Sequence, residues 1–200
     1  MKLVDRRTLL IVLMSWIMVG CAASSTPPSR EYLLMDAGLR DVQAQTTEPI
    51  SVQLMPIVVA NYLTGNEIVL VTAQGEVYRS QNNLWAEPLS PQLTRLTLQR
   101  LEKALPDITW FAGQRLPAGA VALLNVEVDD FYADLDGVVH VSGRWQVISD
   151  SGELSASSTF DVKSELKSDG YGSMVQTLSA SWFDQVMKPM IDGVVQVFND

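Results

Sequence analysis

The sequence predicts a single α+β domain, with one mainly antiparallel sheet and two helices packed on one face. Three observations predict it. Strand-like segments with period-two alternation or continuous β-branched runs fill residues 31–79 and recur over 120–165. Turn signals at Gln74-Gly75, Asp136-Gly137 and Asp150-Ser151-Gly152 join neighbouring strands as hairpins. Two longer stretches, one after Ser90 and one over 173–198, carry apolar residues at helical spacing.

Taken in order, Glu31–Met35 is a short strand and Asp36–Pro49 a polar loop. Ile50–Leu54 alternates as a half-buried strand does, and Met55–Val59 continues it, with Pro56 marking an edge or a bulge. Asn61–Glu67 turns. Ile68–Thr72 is too apolar to be an exposed strand, and Glu76–Arg79 pairs back on it. Ser80–Leu89 leads into the first helix, for which Ser90 is a suitable N-cap and Pro91 a suitable first residue, although a start near Leu84 also fits. Leu93, Leu96, Leu101 and Ala104 form its apolar face, Arg95, Gln99 and Glu102 lie opposite, and Pro106 ends it. Ile108–Phe111 is a further strand. Ala120–Tyr132, Val138–Ser149 and Glu153–Glu165 form a three-stranded meander, and a helix follows over Ser173–Phe198. In that helix Met174, Leu178 and Trp182 share one face, while Met187, Ile191, Val194 and Phe198 share a nearly opposite one. Pro189 lacks the N–H that would pair with the carbonyl of Gln185, so a kink is expected. Apolar residues on two sides fit either deep burial or a face shared with another subunit.

The N-terminus is a separate matter. Lys2, Arg6 and Arg7 precede an apolar run from Leu9 to Val19, whose eleven residues include Ser15 as the one polar member. A membrane-spanning helix needs roughly 20 residues. A basic start, a short apolar core and small Gly20 describe a cleavable export signal. Met18-Val19-Gly20-Cys21 resembles the bacterial lipobox, in which the cysteine takes a diacylglyceryl group and becomes the mature N-terminus. Cys21 is the sole cysteine. The alternative is an unpaired thiol in a secreted protein, which has little use where cysteines normally pair. By resemblance to enterobacterial sorting, Ala22 rather than Asp after the cysteine implies the outer membrane. Residues 1–20 are then the signal peptide, 21–30 the lipidated cysteine and its tether, and 31–200 the folded domain. The nine residues from Ala22 to Arg30 reach at most about 30 Å, which keeps that domain near the periplasmic face of the membrane.

The chain carries a net charge of −9, and because residues 1–20 contribute +2, the remainder carries −11. That argues against nucleic-acid binding, which needs a basic patch. Catalytic signatures are absent. His140, the sole histidine, alternates with valines in a strand and reads as structural or solvent-facing rather than catalytic. No second histidine or cysteine exists to build a zinc site. Asp129, Asp130, Asp134 and Asp136 cluster, but Tyr132 breaks a calcium-loop pattern, and the cluster reads as polar strand ends around a hairpin. Neither metal nor cofactor is expected, and the chain reads as non-enzymatic. Trp85, followed by Pro88 just before a helix, admits two readings: a plug between helix and sheet, or an aromatic anchor for a partner. Tyr62 and Leu63, in a turn between apolar strands, carry the same ambiguity.

Four ordered segments carry a family resemblance: Asn61-Tyr62-Leu63-Thr64-Gly65-Asn66; Asn82-Asn83-Leu84-Trp85-Ala86-Glu87-Pro88-Leu89; Val141-Ser142-Gly143-Arg144-Trp145; and Asp169-Gly170-Tyr171 with Met174, Val175 and Trp182. Together they resemble the PqiC family of membrane-integrity-associated transporter lipoproteins, grouped with the ABC-type transport auxiliary lipoproteins, over roughly residues 31–185. Asn61 stands where aspartate or proline is common in that family. The resemblance implies an outer-membrane lipoprotein that does no chemistry. It implies a role in docking the far end of a periplasmic tube, made by an MCE protein of the inner membrane, to the outer membrane, as a ring-like homo-oligomer. Tyr62, Leu63, Trp85, Pro88 and Trp182 are the candidate interface residues and Cys21 the lipid attachment site. A lipid-binding carrier or chaperone is the alternative.

Overall fold

The computed structural model describes residues 28–38, 50–113 and 121–199; the expectations for the signal peptide, Cys21 and most of the tether lie outside them. The elements run β1 (Arg30–Tyr32), β2 (Ile50–Leu54), β3 (Val58–Val59), a 3-10 turn (Asn61–Leu63), β4 (Glu67–Val71), β5 (Val77–Trp85), α1 (Leu89–Ala104), β6 (Ile108–Ala112), β7 (Ala122–Ala133), β8 (Val138–Ile148), β9 (Leu154–Glu165), α2 (Tyr171–Ala180), a π segment (Ser181–Val186) and α3 (Met187–Asn199).

The α+β architecture stands, and the sheet is mixed, antiparallel over its long hairpins but not purely so. The hairpins β4–β5, β7–β8 and β8–β9 are antiparallel, as their turns dictate. Every other pairing is parallel: β1 with β5, β2 with β6, and β2, β3 and β4 with β7. Strand β7 is the spine. One of its edges takes β8; the other takes β2 at Val52–Leu54, β3 at Val58–Val59 and β4 at Leu70 in succession. Pro56, which cannot donate to a ladder, is the break between β2 and β3, and the Met55 and Ala60 N–H groups donate to Leu124 and Val128 on either side of it.

Ser80–Trp85, expected as a lead-in to the helix, continues strand β5, and its last three residues, Asn83–Trp85, pair with β1. The first helix starts at Leu89 with Pro88 at its N-cap; the Ser90 hydroxyl does not cap it but donates to the Ile57 carbonyl, tying the helix to the chain before β3. Its expected apolar face is the buried one.

In β7 the residues Leu124, Val126 and Val128 face the core, then Phe131 and Ala133 do so. The switch of parity comes from a bulge between Val128 and Asp130. The extra residue, Asp129, keeps Asp130 and Tyr132 out of the core, where strict alternation would have buried them. Gly143 of β8 faces this bulge. A Cβ there would lie 2.1 Å from the Glu127 carbonyl oxygen and 2.7 Å from the Phe160 ring, so only glycine fits.

The last helix resolves its two-sided apolarity by burial. Met174, Leu178, Trp182, Met187, Ile191 and Val194 are each no more than 2% exposed. The π segment makes this possible: the Met187 N–H donates to Trp182 O, five residues back. One extra residue in the turn offsets the downstream face by about 100°, bringing Met187 into line with Trp182.

Candidate functional site

The sheet face opposite the helices is polar and ordered by cross-strand pairs. Tyr132 sits opposite His140, Asp130 opposite Ser142, and Glu127 opposite Arg144. Tyr132 and His140 rings stack at 5.0 Å. His140 Nε2 lies 2.8 Å from Asp134 Oδ2, and the Ser142 hydroxyl donates to Asp130 Oδ2 at 2.6 Å. Asp134 also accepts the backbone N–H groups of Asp136 (3.0 Å) and Val138 (2.9 Å), which closes the hairpin. Partial burial alone would raise the Asp134 carboxyl, but these hydrogen bonds and the His140 contact outweigh it and hold its pKa below the ordinary carboxylate value. Ser142 and His140 are thus not paired with each other: the Ser142 hydroxyl is bound to Asp130 and His140 to Asp134. Among the described residues no group of His, Cys, Asp and Glu forms a metal-binding cluster.

Tyr62 extends this polar face. The 3-10 turn places its ring 6.5 Å from that of Tyr132. Its hydroxyl donates to the Asp129 carbonyl and Asp130 Oδ1, both at 3.0 Å. Desolvation first, then the Asp130 charge, push its pKa far above the ordinary phenolic value, so it stays a neutral donor. Arg79 donates to the Tyr62 carbonyl at 3.0 Å and pins the turn to β5.

The structure divides the sequence-derived interface residues. Tyr62 is half-buried and Pro88 exposed. Leu63, Trp85 and Trp182 are 4%, 4% and 0% exposed, so they present no surface to a partner and serve the core. Trp85 packs on Phe131 at 6.3 Å, and Phe131 meets Trp182 edge-on at 6.3 Å. Trp182 also meets Phe160 at 5.9 Å and donates its indole N–H to Thr97 Oγ1 at 3.1 Å. The plug reading of Trp85 holds.

A second cluster was missed by the sequence reading. Arg100 is 4% exposed on the inner face of α1. Its guanidinium binds Asp36 Oδ1 at 2.6 Å, the Phe183 carbonyl at 3.2 Å and, more loosely, Asp184 at 3.5 Å. Gln92, buried on the same helix, accepts the Leu34 N–H, and Ser179 of α2 accepts the Met35 N–H at 3.2 Å. These contacts strap residues 33–38 across α1 and α2. The available signal was positional: Arg100 follows Leu93 and Leu96 by seven and four residues, placing a charge on an apolar stripe.

The ordered family segments thus converge on one core and one polar sheet face, and comparison with known proteins gives the same grouping. The ABC-type transport auxiliary lipoprotein component family matches residues 32–187. The chain belongs to that family. Among curated relatives, "Intermembrane transport lipoprotein PqiC" of Escherichia coli K12 is 29% identical over 178 residues, 88% of this chain and 91% of that protein, and the Shigella flexneri protein of the same name matches equally. Among solved structures, one uncharacterized protein shares 27% identity with a TM-score of 0.70, covering 84% of this chain and 99% of its own. A Xanthomonas campestris protein, 16% identical, shares the fold at a TM-score of 0.62 over 78% of this chain and 93% of its own. As a member of this family the chain is a transport-associated lipoprotein. Among its described residues no helix is long and apolar enough to cross a membrane.

Proposed function

We propose that this chain is the outer-membrane subunit of an intermembrane lipid-transport system. In this reading residues 1–20 are the export signal and Cys21 carries the acyl chains. The tether of residues 21–30 holds the domain at the periplasmic face, where it docks the distal end of an MCE-domain tube. The observation that carries the reading is family membership joined to the Met18-Val19-Gly20-Cys21 motif. The polar sheet, with His140 and Ser142 bound to separate carboxylates, supports a role without catalysis. Half-buried Tyr62 and exposed Pro88 are the members of the candidate interface that a partner can reach. Assembly as a homo-oligomeric ring is part of the proposal; the last helix lends it no support, since both its apolar faces are used in the core.

The test has two parts. Labelled palmitate enters the mature chain, and a Cys21→Ser variant leaves the outer-membrane fraction. The lipidated protein, purified from envelope, retains an MCE-domain protein, and Tyr62→Ala with Pro88→Ala weakens that retention. Absence of label, together with unchanged fractionation of Cys21→Ser, overturns the anchoring. A strictly monomeric lipidated protein that retains no MCE-domain protein overturns the docking role.

A further inference from the structure

The strap over residues 32–37 forms one wall of an open groove of about 470 Å³, and α2 with the start of the π segment, from Gly172 to Asp184, forms the other. The groove is chiefly apolar. Leu33 and Met35 point outward from the strap, 42% and 70% exposed, while Leu34 between them is buried at 2%. Val175, Ala180 and Phe183 face them from the helix. Two exposed aliphatic side chains beside an apolar cleft, on a segment fixed by Gln92, Ser179 and Arg100, form a built surface rather than a frayed end. The volume falls within the range of small-ligand sites, roughly 300–1,000 Å³. The helical wall is about 18 Å long at 1.5 Å per residue, the span of an extended fatty acyl chain. No Lys, Arg or His lines it, so it selects for hydrocarbon and not for an anionic headgroup.

We propose that this groove takes one acyl chain of a bilayer phospholipid. The occupant follows from the groove's position along the chain. Residue 28 is seven residues after Cys21, at most about 25 Å of extended backbone, and the groove opens within the next few residues. A domain tethered at Cys21 therefore carries this groove beside the membrane surface. Each methylene withdrawn from water contributes about 0.8 kcal/mol, so part of one chain suffices to orient the domain, while the open cleft does not enclose a whole lipid. The inference rests on the anchored reading of Cys21 and adds the lipid-facing surface.

The test uses the full-length protein in vesicles of phosphatidylethanolamine and phosphatidylglycerol carrying a trace of phosphatidylcholine with a diazirine in one acyl chain. Photolabelling should fall on peptides containing Leu33–Ala37 and Val175–Asp184. A Cβ at Gly172 meets nothing within 4 Å, so Gly172→Phe fills the groove without entering the core; Met35→Asp places a charge in the exposed wall. Each should cut groove labelling about tenfold, equal to ~1.4 kcal/mol, with an unchanged melting temperature. Labelling that is absent from these peptides, or equal in wild type and both variants, overturns the proposal. Groove labelling that is absent from the wild type and appears only in Cys21→Ser means the protein's own acyl groups fill the groove, which also overturns it. Separate palmitate incorporation keeps the anchor distinct: label at Cys21 without groove labelling sinks the groove alone, and groove labelling without palmitate sinks the anchor alone.

Discussion

Deleting Gln185 tests why the long C-terminal helix opens into a π turn. Pro189 has no N–H, and in a continuous α-helix its ring would press on the carbonyl four residues back, a cost of about 3 kcal/mol. The wide turn over Ser181–Val186 contains that carbonyl, on Gln185. Gln185 is exposed and donates to Ser164 Oγ at 3.0 Å. Its removal makes Trp182 and Met187 neighbours four apart, so the core face stays in phase, but it sets the proline ring against the Asp184 carbonyl in a regular helix. The expected cost is ~3 kcal/mol for the proline and about 1 kcal/mol for the lost hydrogen bond. At roughly 2–4 °C per kcal/mol for a chain of this size, the melting temperature falls by about 8–16 °C. The same deletion with Pro189→Ala recovers the proline part, about 6–12 °C. Thermal unfolding followed by far-ultraviolet circular dichroism on the full-length protein reads both. If the two deletion variants melt alike, the proline is not what the π turn accommodates, and the reasoning is refuted.

Trp182→Ala should destabilise by about 3–5 kcal/mol, and Trp182→Phe by about 1–2 kcal/mol because Thr97 loses its indole donor; urea unfolding separates the two. Gly143→Ala forces a Cβ onto the Glu127 carbonyl and the Phe160 ring and should cost about 1–3 kcal/mol, read by the same melts. Arg100→Ala leaves the partly buried Asp36 without its cation, an expected loss of about 2–3 kcal/mol, with amide exchange over residues 33–38 rising more than elsewhere. The Asp134 carboxyl is held below its unfolded pKa of about 3.9. Its stabilising contribution is therefore full above that pH and disappears as pH falls through the folded value. Urea midpoints for wild type and Asp134→Asn should differ at neutral pH and converge in strong acid.

Much of this fold was legible because local chemistry wrote it. Asp-Gly at 136–137 and Ser-Gly at 151–152 close hairpins whatever surrounds them, and the meander follows. Pro106 lies just beyond the first helix, and Pro56 interrupts β2 and β3. The parallel pairings escaped because they join residues tens of positions apart, such as Val52 with Ala122, and leave no local signature. The parity of β7 escaped because one bulged residue reverses which side chains face inward. Among the candidate site residues, aromatic character singled out Trp85 and Trp182 but could not separate a core plug from an interface anchor, since both bury large rings. Arg100 was hidden by its charge: the expectation that cations lie on the wet side of a helix fails where a carbonyl and a carboxylate wait inside.

That exception sits at the same π turn. In an α-helix the Phe183 carbonyl would pair with the Met187 N–H, but the π turn spends that donor on Trp182. Phe183 O instead accepts Arg100 Nη2 at 3.2 Å, and the guanidinium, 5.6 Å over the Phe183 ring, reaches on to Asp36. The π turn is thus connected, through one buried cation, to the strap over residues 33–38. The connection also gives the strap a rigidity its irregular backbone would not have alone, because three side chains from two helices hold it. Leu33 and Met35 are exposed on a fixed frame, and a fixed apolar frame loses little conformational entropy on meeting hydrocarbon.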